Sequence, residues 1–524
     1  MREDCRVGGA LVVFRETMHK ITLVLLPAAL GALTLAACGD DDTEPRAAPD
    51  AGAEDAGEGG PSDGSVPADE DGGPDGSGDA GDAGPDAPEE DGSAPGGPWP
   101  KLLEGAIGFP RIAVDAAGNV FVAGRLRGSA HLGGDELVSA GGTDAVVASF
   151  APDGSHRWSH VFGSTEPDDA LDLAIDADSN VYVAGAFRGT VQLSDDRELV
   201  SSGEDDAFVV SYTADGQMRF AQSYGTASTT AGYSVALDPM GLPVIAGQFS
   251  GELTLGDDVY DSELQMAGFV AWLDEDGVPR QSVALIGAMT AEALAIDEQG
   301  TTIAGVSFNG PFDPGNGELS PVGRVNSAVL SYDATGALQW VVPLLGTERI
   351  FIQRTALAAN GDILVVGSAE GSFTFAGETL PAPETRSAFL LRLAADGTPI
   401  WARQVGSSHV YGFGLALLGD SVVIAGSYRE TVTFADMPFE PLTGPPGGYG
   451  GYLAAFDADG TPQWARSYAP GQDLSLTGIA ALPDNDGLFV AGDLYGELII
   501  DGRTLGPIED YGGGLLLFTV APSP

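Results

Sequence analysis

The chain has 524 residues, 76 of them glycine, and a formal net charge of -53 from 76 acidic and 23 basic side chains. So acidic a surface repels phosphate backbones, which sets nucleic acid aside as a partner. The length suits several ordinary domains or one large repeat domain, and the short Val/Leu/Ala-rich apolar runs favour strands over helices.

Met18-His19-Lys20 precedes an apolar run from Ile21 to Leu35, and Ala36-Ala37-Cys38-Gly39 follows it. A basic start, an apolar stretch and small residues before a cleavage point make a secretory signal peptide. The run is too short to span a bilayer comfortably, and no stop-transfer pattern follows. Leu35-Ala36-Ala37-Cys38 resembles the bacterial lipobox. The resemblance implies that residues 1–37 are removed and that Cys38 is acylated as the first mature residue. Glu3, Asp4 and Glu16 fit poorly in a basic start, so Met18 is a candidate true start. Several acyl chains, at about 0.8 kcal/mol per buried methylene, would hold the protein on a membrane. The expected location is therefore the bacterial cell envelope, with the outer membrane or cell surface favoured over the inner membrane.

Residues 38–98 come next. From Gly39 to Pro98 there are 19 acidic side chains, one basic residue (Arg46) and no aromatic. Apart from alanines and Val66 nothing is apolar, so the segment is expected to be a disordered tether. As a flexible coil of about sixty residues it would span roughly 40–45 Å r.m.s.. Its scattered carboxylates lack the spaced ligands and fixed turn of a Ca²⁺ loop, which favours a spacer over a calcium sponge. Cys5 and Cys38 both precede Trp99, so neither a disulfide nor a cysteine metal site can form beyond it.

From Trp99 onward an internal period of about sixty residues governs the sequence. One marker is the glycine of Val/Ile-Ala-Gly, at Gly124, Gly185, Gly247, Gly305, Gly367 (as Val-Val-Gly), Gly426 and Gly492. A second, the glycine of a hairpin turn, falls in phase at Gly154, Gly216, Gly277, Gly336, Gly397 and Gly460. Each unit reads as four strands. In the second copy these are Leu173–Asp176, Val181–Ala184, Ala207–Tyr212 and Met218–Tyr224, with Asp215-Gly216 as a hairpin turn. Trp158, Trp340, Trp401 and Trp464 recur on the fourth strand, where core packing explains them. Four antiparallel strands at a constant period fit an all-β fold, a seven-bladed β-propeller over residues 99–524. The seventh unit reaches a third strand at Leu515–Thr519 and lacks a fourth. Trp99–Gly108 resembles a lone fourth strand, so it is expected to complete the last blade and close the ring.

The pattern Asp-x-x-Gly-Asn-Val-(Phe/Tyr)-Val-Ala-Gly, followed by Ala-Phe-Val-x-x-(Tyr/Leu)-x-x-Asp-Gly, resembles the bacterial seven-bladed propeller repeat (SBBP) family. It is more distantly similar to NHL repeats. The resemblance covers residues 99–524 and implies an extracellular binding or scaffold module. Asp459-Gly-Thr-Pro-Gln-Trp464 is also similar to repeats of quinone-dependent propellers and of outer-membrane assembly lipoproteins. The metal site and cofactor-stacking residues of the quinone enzymes have no counterpart in the sequence.

In such a fold the long connections from second to third strands lie on the face that also carries the links between blades. Arg188 to Glu204 and Ser307 to Arg324 are examples, and both are expected to add hairpins. Asp176-Ala-Asp178-Ser-Asn180 resembles the start of a Ca²⁺ loop but lacks the distant bidentate Glu, so a side-chain-stabilised turn is expected. His156 and His160 stand four apart, roughly 13 Å on a strand. Asp168-Asp169 and Asp195-Asp196 read as solvated loop tips. No catalytic motif is present, and no metal site or cofactor is implied. The reading is a monomeric, lipid-anchored, non-enzymatic propeller binding a protein or glycan. The alternatives are a quinone-dependent oxidoreductase or glycan hydrolase or lyase with carboxylates in the central channel, or an outer-membrane assembly scaffold.

Overall fold

The computed structural model describes residues 99–521, apart from 195, 384, 407, 433–440, 471 and 507–512. Residues 1–98, with the expected signal peptide, Cys38 and the expected tether, lie outside the described residues. The described chain is all-β. The second repeat folds as Asp169–Ile175, Val181–Phe187, Asp206–Tyr212 and Met218–Tyr224, an antiparallel sheet in sequential order. The third to sixth repeats form four more sheets of the same order. Third strands are the most buried: every residue of Asp206–Tyr212, Ala267–Leu273, Asn326–Tyr332 and Ser387–Leu393 is buried. Their centres accordingly read as short apolar runs, whereas a fourth strand such as Met218–Tyr224 buries only Phe220 and Tyr224. This repeated stacking of antiparallel sheets is a β-propeller.

The Ala-Gly marker has a steric cause. In each repeat the first strand carries one extra residue opposite the second strand, a β-bulge at Leu171, Tyr233, Glu292, Gln353, Phe413 and Thr477, and around Phe109 and Pro110 in the first copy. The bulge pushes a first-strand carbonyl toward the second strand, and a third-strand aromatic ring crosses above. A Cβ on Gly185 would collide with the Asp169 carbonyl and sit 2.6 Å from the Phe208 ring. Gly247 with Phe269, Gly367 with Phe389 and Gly426 with Tyr452 repeat the arrangement. The first and seventh copies set Val146 and Leu516 in the ring's place, and the fourth repeat departs further. Gly305 is one residue out of structural phase, because Val306 pairs with Ala291 and with Ala328 where other copies have the glycine. A small third-strand residue there makes room for a larger second-strand one, so packing volume is conserved while the motif is not.

The turn glycines serve the contact between sheets. All six, Gly154 to Gly460, have φ between 70° and 83°, a region glycine reaches without penalty. Each hairpin turn lies under the fourth strand of the preceding repeat. Trp158 Nε1 donates to the Ala214 carbonyl at 2.9 Å, and a Cβ on Gly216 would sit 2.6 Å from the Trp158 ring. Trp401 Nε1 donates to Ala458 O at 3.0 Å, and Trp99 Nε1 to Pro152 O at 3.3 Å. The indole therefore packs on a bare turn and satisfies one of its carbonyls, which explains the conserved phase between tryptophan and glycine.

The N-terminal strand is longer than its sequence signal. It runs from Lys101 to Val114 without a break. Lys101–Gly105 pairs antiparallel with Gly514–Leu517, the third strand of the seventh repeat, and Ala106–Val114 pairs with the second strand of the first repeat. One strand thus serves as the last strand of one four-stranded group and the first of another, joining eight strands into a single sheet.

Candidate functional site

The two ends of the sheets differ in kind. One end carries short turns built on aspartate. Asp176 Oδ1 accepts N–H bonds from Asp178 (3.0 Å) and Asn180 (2.8 Å), while Oδ2 accepts from Asn180 Nδ2 (2.8 Å). Asp115, Asp238 and Asp297 make the same turn with their own downstream amides. Amide donors, above all Asn119, hold the Asp115 carboxyl below its ordinary range against the opposing effect of burial. The carboxylate resembling a Ca²⁺ loop is thus occupied as a turn former.

The other end carries the long connections, and most form hairpins; Ser307 to Arg324, expected to add one, holds only an isolated antiparallel bridge between Phe312 and Leu319. Thr190–Ser194 pairs with Arg197–Val200, Glu252–Leu255 with Asp258–Asp261, Phe373–Phe375 with Glu378–Leu380, Thr431–Val432 with Leu442–Thr443, and Leu498–Ile500 with Arg503–Leu505. Their bases follow a device that sequence reading missed. In the pairs Gly128 and Ser139, Gly189 and Ser201, and Gly251 and Ser262, the serine N–H donates to the glycine carbonyl and the glycine N–H donates back to the serine hydroxyl oxygen. The recurring Gly-to-Ser spacing of eleven or twelve residues is the signal that would have revealed it. Of eleven exposed large apolar side chains among the described residues, eight lie at this end: Val138, Val200, Val259, Leu264, Ile286, Val322, Tyr495 and Ile499. A rim of apolar tips on rigidly pinned hairpins is a surface suited to recognition.

Between the two ends, the bulged first strands bring buried charges together. Arg111 donates to the Thr477 carbonyl at 2.8 Å and the Leu171 carbonyl at 3.3 Å, linking the seventh repeat to the second. Asp172 accepts from Ser234 Oγ (2.9 Å) and the Val235 N–H (3.2 Å), and lies 3.6 Å from Arg354 of the fifth repeat. Asp493 accepts the Phe109 N–H at 2.9 Å. Burial pushes Glu292 up to about 8, against weaker pulls from Ser307 and Arg354, and Asp493 up to about 7. Burial and then Arg354 bring Arg111 down to about 9. These groups knit first strands to one another, and no group of three His, Cys, Asp or Glu suited to a metal occurs among the described residues.

Glu292 gives a pH signature. Its folded value of about 8 lies above the unfolded value of roughly 4.3, so its contribution is full below about 4.3 and is lost as pH rises toward 8. Between pH 6 and 8 the parent is expected to lose on the order of 2 kcal/mol more stability than Glu292→Gln. Urea unfolding at each pH checks this, and parallel losses in both proteins would contradict it.

The other sequence candidates separate cleanly. His156 Nε2 contacts Ser159 Oγ at 3.0 Å, whereas His160 stacks on Tyr212 and bonds Gly216 O at 2.7 Å, so the two histidines share no site. The expectation that Asp168-Asp169 is a solvated tip is overturned. Asp168 is fully buried, accepts the Ser164 and Arg188 N–H groups, and is pushed by burial to about 6. Asp169 opens a strand and pairs with Arg125 at 3.4 Å. Asp196 is exposed in a turn, and Asp195 lies outside the described residues.

No family model matches the chain. No curated protein matches it in sequence. Among solved structures it is similar to the WD40 domain of Neurospora crassa Pan2, at 13% identity and TM-score 0.32 over 62% of this chain and 75% of that one. It is also similar to the C-terminal WD40 domain of Sif2, at 10% identity and TM-score 0.35 over 80% and 99% of the two chains. Saccharomyces cerevisiae Sqt1 matches at 9% identity and TM-score 0.37, over 80% and 97%.

Proposed function

We propose that this chain is a lipid-anchored, extracytoplasmic β-propeller of the bacterial SBBP type, a monomeric binding or scaffold module for a protein or glycan at the cell envelope. In this reading Cys38 carries the lipid, residues 38–98 hold the folded part away from the membrane, and the propeller has seven blades. The strand from about Trp99 to Gly108 completes the last blade. Contacts between first strands support the closed ring, because they run from the first repeat through the seventh and back to the first.

The observation that carries the binding role is the asymmetry of the two ends. One end is uniform and spent on turn formation; the other is pinned, varied and rich in exposed apolar tips. The test is capture of a partner in intact envelopes, together with fractionation of Cys38→Ala. The parent is expected in membranes and the variant in the soluble fraction. Membrane retention of Cys38→Ala would remove the anchor from the proposal.

A further inference from the structure

A cluster of aromatic rings and arginines gathers toward the hairpin-bearing end, between the fifth and sixth repeats. Tyr411 and Phe413 of the strand Val410–Leu418 stack with ring centroids 5.7 Å apart and planes 11° from parallel. Phe413 is the bulge residue of that strand, two residues from Tyr411. Tyr449 stands 6.2 Å from Tyr411. The Arg386 guanidinium lies 5.0 Å from the Tyr411 ring, and that of Arg429 lies 6.0 Å from Tyr449. All three aromatic rings are half-buried, as are both arginines.

Glu370 pairs with both Arg349 (3.2 Å) and Arg386, so two cations share one carboxylate, while Arg429 stands over Tyr449, whose N–H donates to Asp473 at 2.7 Å. The guanidinium groups beside these rings attract a small anion at short range, within a Debye length of about 8 Å, while the strongly acidic surface of the whole repels a long polyanion. The stack Arg386–Tyr411–Phe413 presents a flat apolar face beside these guanidinium groups. Flat apolar surface next to a carboxylate-reading fork matches a pyranose ring bearing a carboxylate.

We infer that Phe413 and Tyr411, with Arg386 and Arg429, form a subsite for a hexuronate unit at the end of a short acidic glycan. The inference rests on the binding-module reading and narrows its ligand. Aromatic stacking holds the sugar ring, and the guanidinium groups select its carboxylate.

The test is calorimetric titration of the full-length protein with trigalacturonate and with the neutral galactose trisaccharide. Trigalacturonate is expected to bind at least tenfold more tightly than the neutral sugar. Phe413→Ala and Arg429→Gln are each expected to weaken it at least tenfold, with Arg429→Lys retaining part of the affinity. Unchanged circular dichroism and unfolding midpoints in Arg429→Gln would show that lost binding is not lost folding. Equal binding of acidic and neutral sugars, or variants that bind like the parent, would overturn the subsite. So would equal affinity for a short peptide of matching negative charge. If uronates fail but a partner is still captured from envelopes, only the subsite falls; if nothing is captured, the binding-module reading falls with it.

Discussion

Removing residues 99–105 is expected to abolish cooperative folding of the remaining chain. The deletion leaves the strand Gly514–Val520 with an unpaired edge where Lys101–Gly105 now pairs with it. It also takes Trp99 from its edge-on contacts with Phe489 (4.7 Å) and Phe150 (6.4 Å) and from the Pro152 carbonyl. Burial of Trp99 and Leu103 alone contributes on the order of 4–5 kcal/mol, a large share of what a domain can lose. An exposed apolar edge would then recruit other chains. The converse experiment replaces the directly paired Leu103 and Leu515 with cysteine. Their disulfide would close nearly the whole propeller into one loop and is expected to stabilise it by about 2–4 kcal/mol. A deletion variant that unfolds at the parental midpoint, or cysteines that stay reduced under oxidation, would contradict closure through this strand.

Gly185→Val is expected to cost about 3 kcal/mol or more, because the new side chain meets the Asp169 carbonyl and the Phe208 ring together. Phe208→Ala alone is expected to cost about 3–5 kcal/mol through the cavity it leaves. The double variant should cost at least about 1 kcal/mol less than the two single costs added together, since each change relieves the other. The fourth repeat already contains that exchange, as Val306 beside Ala328. Thermal unfolding of the four proteins checks this, and strictly additive costs would mean that the glycine is not there to accommodate the ring.

Much of this fold was legible because a sixty-residue period repeats its constraints. The strand Met218–Tyr224 and the positive-φ turn glycines stand where alternation and Asp-Gly chemistry put them. The Trp99 resemblance to a fourth strand led to its pairing partner, though not to its continuation as far as Val114. What stayed hidden depends on contacts distant in sequence. Asp168 looked exposed because it stands in a run of acidic residues, yet one of its donors, the Arg188 N–H, lies twenty residues away. Gly305 looked in phase because a motif records letters, whereas the bulge and the Ala328 partner set the true register. The Tyr411–Phe413 pair carried a faint signal, two aromatics on a first strand whose other copies bear mostly small, aliphatic or polar residues.

A photo-crosslinking amino acid suits the search for a partner better than an amine reagent. The chain has only two lysines, Lys20 and Lys101, and the Lys101 ammonium is already bonded to the Gly154 carbonyl. Leu264, on the hairpin-bearing end, is 77% exposed, and Met240, on the turn end, is 67% exposed. With the crosslinker placed at residue 264 or at residue 240 of the full-length protein in intact envelopes, a discrete adduct is expected from 264 and none from 240. Adducts from 240 alone, or from neither residue, would contradict a propeller that binds through its hairpin-bearing end.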